Sequence, residues 1–214
     1  MNEPQSSVEE QIRTAALTLA SIANNGLVFA TDVFDRQRYE QTNAISMQLL
    51  SLISAGTPQQ LNEIVSLESG YMTPKVDVRG GVFDEAGRIL LIRDRSDERW
   101  TLPGGWCDIL EPPSQAIERE VEEESGLVVR AGKLVALLDR DVQGHQPVFP
   151  YHVYKLFFLC EKISDGEPSP VETMEVGWFD VEELPELSTT RVLASQIRLL
   201  HEHWGKAELP TVFD

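Results

Sequence analysis

The stretch "GWCDILEPPSQAIEREVEEESGL", Gly105–Leu127, gathers Glu118, Glu120, Glu122, Glu123 and Glu124 around a single arginine, Arg119. Pro112 and Pro113 suit the start of a helix and Gly126 its stop, so the spacing predicts helix over Pro113–Ser125. At about 100° per residue, with Ala116 at zero, Ile117 falls at about 100° and Val121 at about 140°, which defines the apolar face. On the same wheel Glu120 lies at about 40°, Glu124 at about 80° and Glu123 at about −20°, while Glu118, Arg119 and Glu122 point away. A solvated surface accounts for Glu118 and Glu122. It does not account for Glu120 and Glu124, because an isolated carboxylate is expensive to bury unless something of opposite charge meets it. One arginine cannot neutralise them all. Carboxylates at i and i+4, with a third at i+3, converge their oxygens, and that is the environment a hard divalent cation such as magnesium requires. The segment is therefore read as half of a cation site.

Outward from this helix the chain divides near Gly70. On the N-terminal side apolar residues recur at helical spacing: Ile12, Ala15, Ala16 and Leu19, then Ile45, Leu49, Leu50, Leu52 and Ile53, then Leu61, Ile64 and Val65. Three or four helices are expected, with Gly56 suited to a C-cap, Thr57 to an N-cap and Pro58 to a first turn. From Lys75 the pattern changes to strands. "KVDVRGGVF", a "DEAGR" turn and "ILLIRD" look like a hairpin, followed by "KLVALLDRD", "YHVYKLFFLC" and "EVGWFDVEEL". A last helix is expected over Arg191–His203. The organisation implied is a helical domain over residues 1–70 and an α+β domain, with layered αβα architecture, over 71–214.

Bulk properties restrict the function. The chain has 214 residues, 42% hydrophobic and 25% charged, the composition of an ordinary globular protein. A formal net charge of −17 argues against nucleic acid or an anionic membrane as partner, because affinity for such polyanions rests on lysines and arginines. Cys107 and Cys160 form no CxxC pair, so reduced thiols and a cytoplasmic location are expected. The acidic start is the wrong order for a signal peptide, and no apolar run approaches a membrane span.

The residues of the opening segment reproduce a known motif. Gly105, five residues, Glu111, seven residues and then "REVEEESGL" resemble the Nudix box at every specified position, from Arg119, Glu120 and Val121 through Glu123 and Glu124 to Gly126 and Leu127. "WTLPGGW" before it and "EVGWFDVEELPEL" after it also look like Nudix segments. "NNGLVFATDVFDRQRYEQ" and "GYMTPKVDVRG" are similar to a subgroup with a helical N-terminal domain, which includes enzymes acting on ADP-ribose and CDP-choline. The resemblance implies an αβα sandwich with a mixed sheet behind a small all-α domain, in a homodimer.

It further implies that Glu120 and Glu124 bind catalytic Mg²⁺ or Mn²⁺, with Glu123 as a further ligand or water-activating base and the Gly104 carbonyl as an extra ligand. Arg119 would orient the glutamates and pair with Glu111. A general base could instead come from "DGEPSPVETMEVGWF", which offers Glu167, Glu172 and Glu175, of which Glu172 is taken as the catalytic candidate. Arg79, Arg93 and Arg191 are candidates for the distal phosphate or sugar, and Trp106 for the base, beside Tyr71, Phe149 and Tyr151. The expected reaction is hydrolysis of a nucleoside diphosphate linked to another moiety, giving a nucleoside monophosphate and a phosphorylated product. A nucleotide-pool or RNA-cap hydrolase is the sibling alternative. A ligand-sensing regulator on an inactive Nudix domain is the alternative of another class, and the complete box speaks against it.

Overall fold

The computed structural model describes residues 7–53, 57–60, 71–147, 149–166, 173–206 and 208–214. The chain forms two compact units, Met1–Pro74 with Val148–His152 and Lys75–Pro147 with Val153–Asp214.

The first unit contains two long helices, α1 (Val8–Phe29) and α2 (Val33–Ser51). Each starts on a side chain that accepts from its own first turn: Ser7 from the Glu10 N–H, and Asp32 from the N–H groups of Phe34 and Asp35. The buried seam is Ala16, Ala20 and Ala23 on α1 with Met47 and Leu50 on α2. The phase expected from the sequence differs in part, since Ala15 is exposed and Ile45 and Leu52 face water. Small side chains explain the shift. They let two helix backbones approach closely, so Gly26 sits against the Tyr39 ring, where a Cβ would come within 2.4 Å. Thr57 and Gln60 exchange backbone and side-chain hydrogen bonds, the capping box that opens a helix at Pro58. Gly56, Leu61, Ile64, Val65 and Gly70 lie outside the described residues. Phe149 belongs to this unit through its carbonyl, which accepts from Arg13 Nε at 3.0 Å.

The second unit is built on two sheets. In the mixed sheet, ordered β1-β5-β4-β7, β1 (Lys75–Val82) runs parallel to β5 (Val153–Asp165), β5 antiparallel to β4 (Leu127–Asp139), and β4 parallel to β7 (Val212–Phe213). The other sheet is antiparallel, with β2 (Ile89–Asp94) between β3 (Trp100–Thr101) and β6 (Thr173–Phe179). Two helices cover the mixed sheet, α3 (Pro113–Ser125) and α4 (Ala194–His203). Adjacent glycines of β1 record this layering, because successive strand residues face opposite ways. A Cβ on Gly80 would meet Val121 and Ile117 of α3, and one on Gly81 would meet Leu200 of α4. Each face has its own core, one with Val78, Val82, Ile117, Val121 and Phe158, the other with Leu91, Leu102, Phe157, Ile197 and Leu200.

The hairpin expected over 75–94 is corrected by this topology. The "DEAGR" turn forms, with the Asp84 N–H donating to the Arg88 carbonyl, but β1 and β2 meet only at a single Phe83–Ile89 bridge and then enter different sheets. The cause lies in burial. Residues 77–82 of β1 are all buried, as suits a strand covered on both faces, whereas a two-stranded ribbon alone would leave one face wet. Filling the gap that Gly80 leaves under α3 should be costly: Gly80→Val is expected to lower unfolding free energy by about 1–3 kcal/mol, measured by urea denaturation.

Candidate active site

Helix α3 ends on Gly126 at φ +74°, the left-handed stop expected there, and it buries Ala116, Ile117, Val121 and Glu124. Its inner face meets the loop at residues 103–105. β1 holds that loop through its backbone, with the Val78 N–H donating to the Gly105 carbonyl at 2.8 Å and the Gly80 N–H to the Pro103 carbonyl at 2.9 Å. Gly104 has φ +141°, and a Cβ there would lie 2.0 Å from the Val78 carbonyl oxygen, so no other residue fits. Its N–H donates to Glu124 Oε2 at 2.8 Å. A Cβ on neighbouring Gly105 would come within 2.9 Å of Glu120 Oε1. Both glutamates that the helical wheel turns inward therefore abut the same pair of glycines, Glu124 buried and Glu120 half-buried.

Arg119 binds the remaining acids as a fork. Nε and Nη2 donate to the two carboxylate oxygens of Glu111, while Nη1 donates to Glu120 Oε1 and Glu123 Oε2, all at 3.0 Å. The Glu111 hydrogen bonds are the largest influence raising the Arg119 pKa, and the same bonds lower that of Glu111. Glu120 is pushed the other way, because burial outweighs the attraction of Arg119. Glu123 is exposed, and the wheel angle of about −20° already set it apart from Glu124.

A second cation reaches the cluster from β1. Arg79 is buried, and Nε and Nη2 donate to the two oxygens of Asp77 at 2.9 and 2.7 Å, while Nη1 donates to the Leu102 carbonyl at 3.2 Å. Lys155, directly opposite Asp77 in the β1–β5 register, donates to Asp77 Oδ1 at 2.5 Å. Burial lowers the Arg79 pKa, Asp77 overcomes that, and Glu124 and then Glu120 add to the rise. The expectation that a lone arginine stands against the inward acids is thus corrected: the fold supplies Arg79 as well. The Glu118 reading is corrected too, since that side chain is half-buried and its Oε1 accepts from the Ala131 N–H at 2.8 Å, at a bulge in β4.

The remaining candidates are spread out. Arg93 donates to the Glu98 carbonyl and to Glu175 at 3.0 Å, so Glu175 is engaged in an ion pair across β2 and β6. Arg191 meets Asp94, Asp97, Ser96 and Ser188. Trp106 is 41% exposed one residue beyond the glycine pair. Glu167 and Glu172 lie outside the described residues. His145 is packed in the core, with Nδ1 at 2.9 Å from the Thr189 carbonyl and Nε2 at 2.8 Å from Gln196; burial holds its pKa down at about 4. Asp77 and Lys155 were not among the sequence candidates. Two signals could have found them: opposite charges two apart on one face of a strand in "DVR", and a lysine inside the apolar strand "YKLFF". A cavity of about 970 Å³ opens elsewhere, lined by Phe83, Trp178, His203 and Trp204 among others, and shares no residue with the glutamate cluster.

The donor set suits a hard divalent cation. It offers carboxylate oxygens at i, i+3 and i+4 of one helix, and the space that a Cβ at Gly105 would fill is kept open next to Glu120. Residues 73–200 match the NUDIX domain model. The chain belongs to the NUDIX family. A second family model, described as a UDP-X-like, N-terminal oligomerisation domain, matches residues 10–65. Among relatives of this Nudix protein, YjhB of Bacillus subtilis (strain 168), provisionally named an ADP-ribose pyrophosphatase, is 37% identical over 199 residues, 93% of this chain and 95% of that one. A solved structure titled UDP-X diphosphatase is 27% identical with a TM-score of 0.61, covering 96% of this chain and 99% of that one. The structure of an ADP-ribose pyrophosphatase from Streptococcus suis 89-1591 is 35% identical with a TM-score of 0.60, covering 66% of this chain and all of that one. The protein is a Nudix pyrophosphatase, a hydrolase with the α+β fold of that family behind a helical N-terminal region.

The buried Asp77 gives this site a pH signature. Burial raises its pKa, but Arg79 and then Lys155 overcome that and bring it from the ordinary 3.8 down to about 2. A carboxyl depressed in the folded state adds stability above its ordinary value and loses it as pH falls through the folded one. The stability gap between wild type and Asp77→Asn is expected to close as pH falls from about 4 to about 2, measured by urea unfolding at each pH.

Proposed function

We propose that this Nudix pyrophosphatase hydrolyses a nucleoside diphosphate linked to a second moiety, of the ADP-ribose, CDP-choline or nucleotide-sugar class. The observation that carries the reading is the convergence of Glu120 and Glu124 on Gly104 and Gly105, in a chain that matches relatives named for such substrates along nearly its whole length. Glu120, Glu124 and Glu123, with the Gly104 carbonyl, would hold Mg²⁺ or Mn²⁺. Such an ion, when bound, offsets phosphate charge and lowers the pKa of water.

The protein's own groups do the rest. The Gly104 N–H fixes one oxygen of Glu124, so that carboxylate is oriented before any ligand arrives. Arg119 plays the same part for Glu120 and Glu123 and is itself anchored on Glu111. Trp106 offers a half-exposed ring for a base, and Arg93 and Arg191 remain the cations proposed for the distal phosphate or sugar, whereas Arg79 is buried with its donors on Asp77 and the Leu102 carbonyl. Glu123 or Glu172 would take the proton from water as it attacks one phosphorus. One P–O bond forms and the bridging P–O bond breaks, leaving a nucleoside monophosphate and a phosphorylated second product.

A Mg²⁺-dependent phosphate-release screen, coupled to a phosphatase, should find activity on nucleoside diphosphate derivatives. Activity confined to nucleoside triphosphates or capped RNA would contradict the substrate class, and binding without turnover would favour a sensor. Glu124→Gln should lower kcat by at least about 100-fold with an unchanged circular dichroism spectrum, because it removes a direct ligand rather than an outer partner.

The helical N-terminal unit is proposed to pair two copies in a homodimer. Phe29 and Phe34 on its two helices and Leu52 just after the second are 74%, 63% and 73% exposed, and the match of residues 10–65 to a model described as an oligomerisation domain supports the same reading. Light scattering at micromolar concentration should report twice the chain mass, and Phe29→Asp with Phe34→Asp should shift it toward one. A cytoplasmic location is proposed as well: Cys107 and Cys160 are free thiols, and no helix of the described residues is long and apolar enough to cross a membrane.

A further inference from the structure

Three buried charges lie beside the glutamate cluster without belonging to the Nudix box. Asp77, Arg79 and Lys155 are 4%, 4% and 2% exposed, and the single carboxylate serves both cations. Arg79 adjoins the proposed ligands through the backbone: a Cβ on Gly104, whose N–H holds Glu124, would come within 3.0 Å of the Arg79 Cα. Its guanidinium cannot swing freely, because Asp77 grips it with two oxygens and the Leu102 carbonyl takes a third donor. The backbone around Asp77 performs a related task. Residue 77 forms an antiparallel bridge with Trp106, and the next residue's N–H holds the Gly105 carbonyl.

Charge arithmetic gives the side chain its role. With Asp77 ionised, the Arg79 charge next to the glutamates is both held and offset; without it, that charge stands uncompensated and competes with any ion those carboxylates would bind. We propose that Asp77 is a positioning residue for the glutamate cluster: it clamps Arg79 in place and offsets Arg79 and Lys155, so that Glu120 and Glu124 keep the negative potential that a divalent cation needs. This inference rests on the metal reading of the glutamates given above. It makes Asp77 a distant partner of the ion, touching neither the ion nor the substrate.

Because the role is electrostatic, the two partners of the triad should act with opposite sign, which a packing role would not produce. Binding of Mn²⁺ alone, followed by electron paramagnetic resonance of the free ion, reads this without turnover. Asp77→Asn should raise the dissociation constant about tenfold, within the range that outer partners of metal ligands command. Lys155→Met, which removes a cation and leaves the Asp77–Arg79 clamp, should bind Mn²⁺ at least as tightly as wild type. Thermal melts followed by circular dichroism establish that each variant is folded.

Wild-type affinity in Asp77→Asn would overturn the proposal, as would equal weakening in both single variants. Should Asp77→Asn fail to fold, Lys155→Met decides alone: several-fold weaker binding overturns the proposal and equal or tighter binding upholds it. Absence of Mn²⁺ uptake by wild type would sink the metal reading and the proposal together, whereas normal uptake by wild type and Asp77→Asn alike would sink only the role of Asp77.

Discussion

A carboxylate removed from water must meet positive charge or hydrogen-bond donors, and this requirement governs the arrangement of the catalytic unit. Helix α3 packs through a face that carries Glu120 and Glu124 beside Ile117 and Val121. The fold meets the requirement with a glycine N–H for Glu124 and the Arg119 fork for Glu120. Each of these comes from a different element. Breaking any one leaves a partly desolvated charge without its partner, which costs more than the intact arrangement gains.

The architecture can be understood as what brings those partners together. β1 is covered on both faces, and it spends its backbone donors Val78 and Gly80 on the 103–105 loop rather than on a hairpin with β2. That choice places the two glycines against α3. It also sets Asp77 opposite Lys155, so the parallel pairing with β5 creates the buried triad. Gly104 makes the arrangement specific, since its backbone conformation and its distance from the Val78 carbonyl exclude a side chain.

Much of the site was legible in the sequence, and the reason is that it is local. Glu120, Glu123, Glu124 and Arg119 lie on one helix, where about 100° per residue fixes their relative directions before any tertiary contact forms. The helix bounds, Pro113 and Gly126, follow from backbone chemistry that acts within one turn. The N-terminal helices were legible as helices but less so in phase, because alanines close the α1–α2 seam and the larger apolar residues that draw attention are partly left outside. Short pairings such as Trp100–Thr101 and Val212–Phe213 have too few residues to show a period.

The family, the acidic helix with its inward pair, the layered α+β fold and the helical region ahead of it can be read from the residues alone, because all follow from short-range spacing. How the charges are balanced depends on contacts between distant parts of the chain. Arg79 stands about forty residues from the glutamates and Lys155 about thirty beyond them, and nothing in local periodicity ties either to α3. Sheet order ties them, because β1 lies between the loop at 103–105 and β5, and hydrogen bonding between strands is indifferent to distance along the chain.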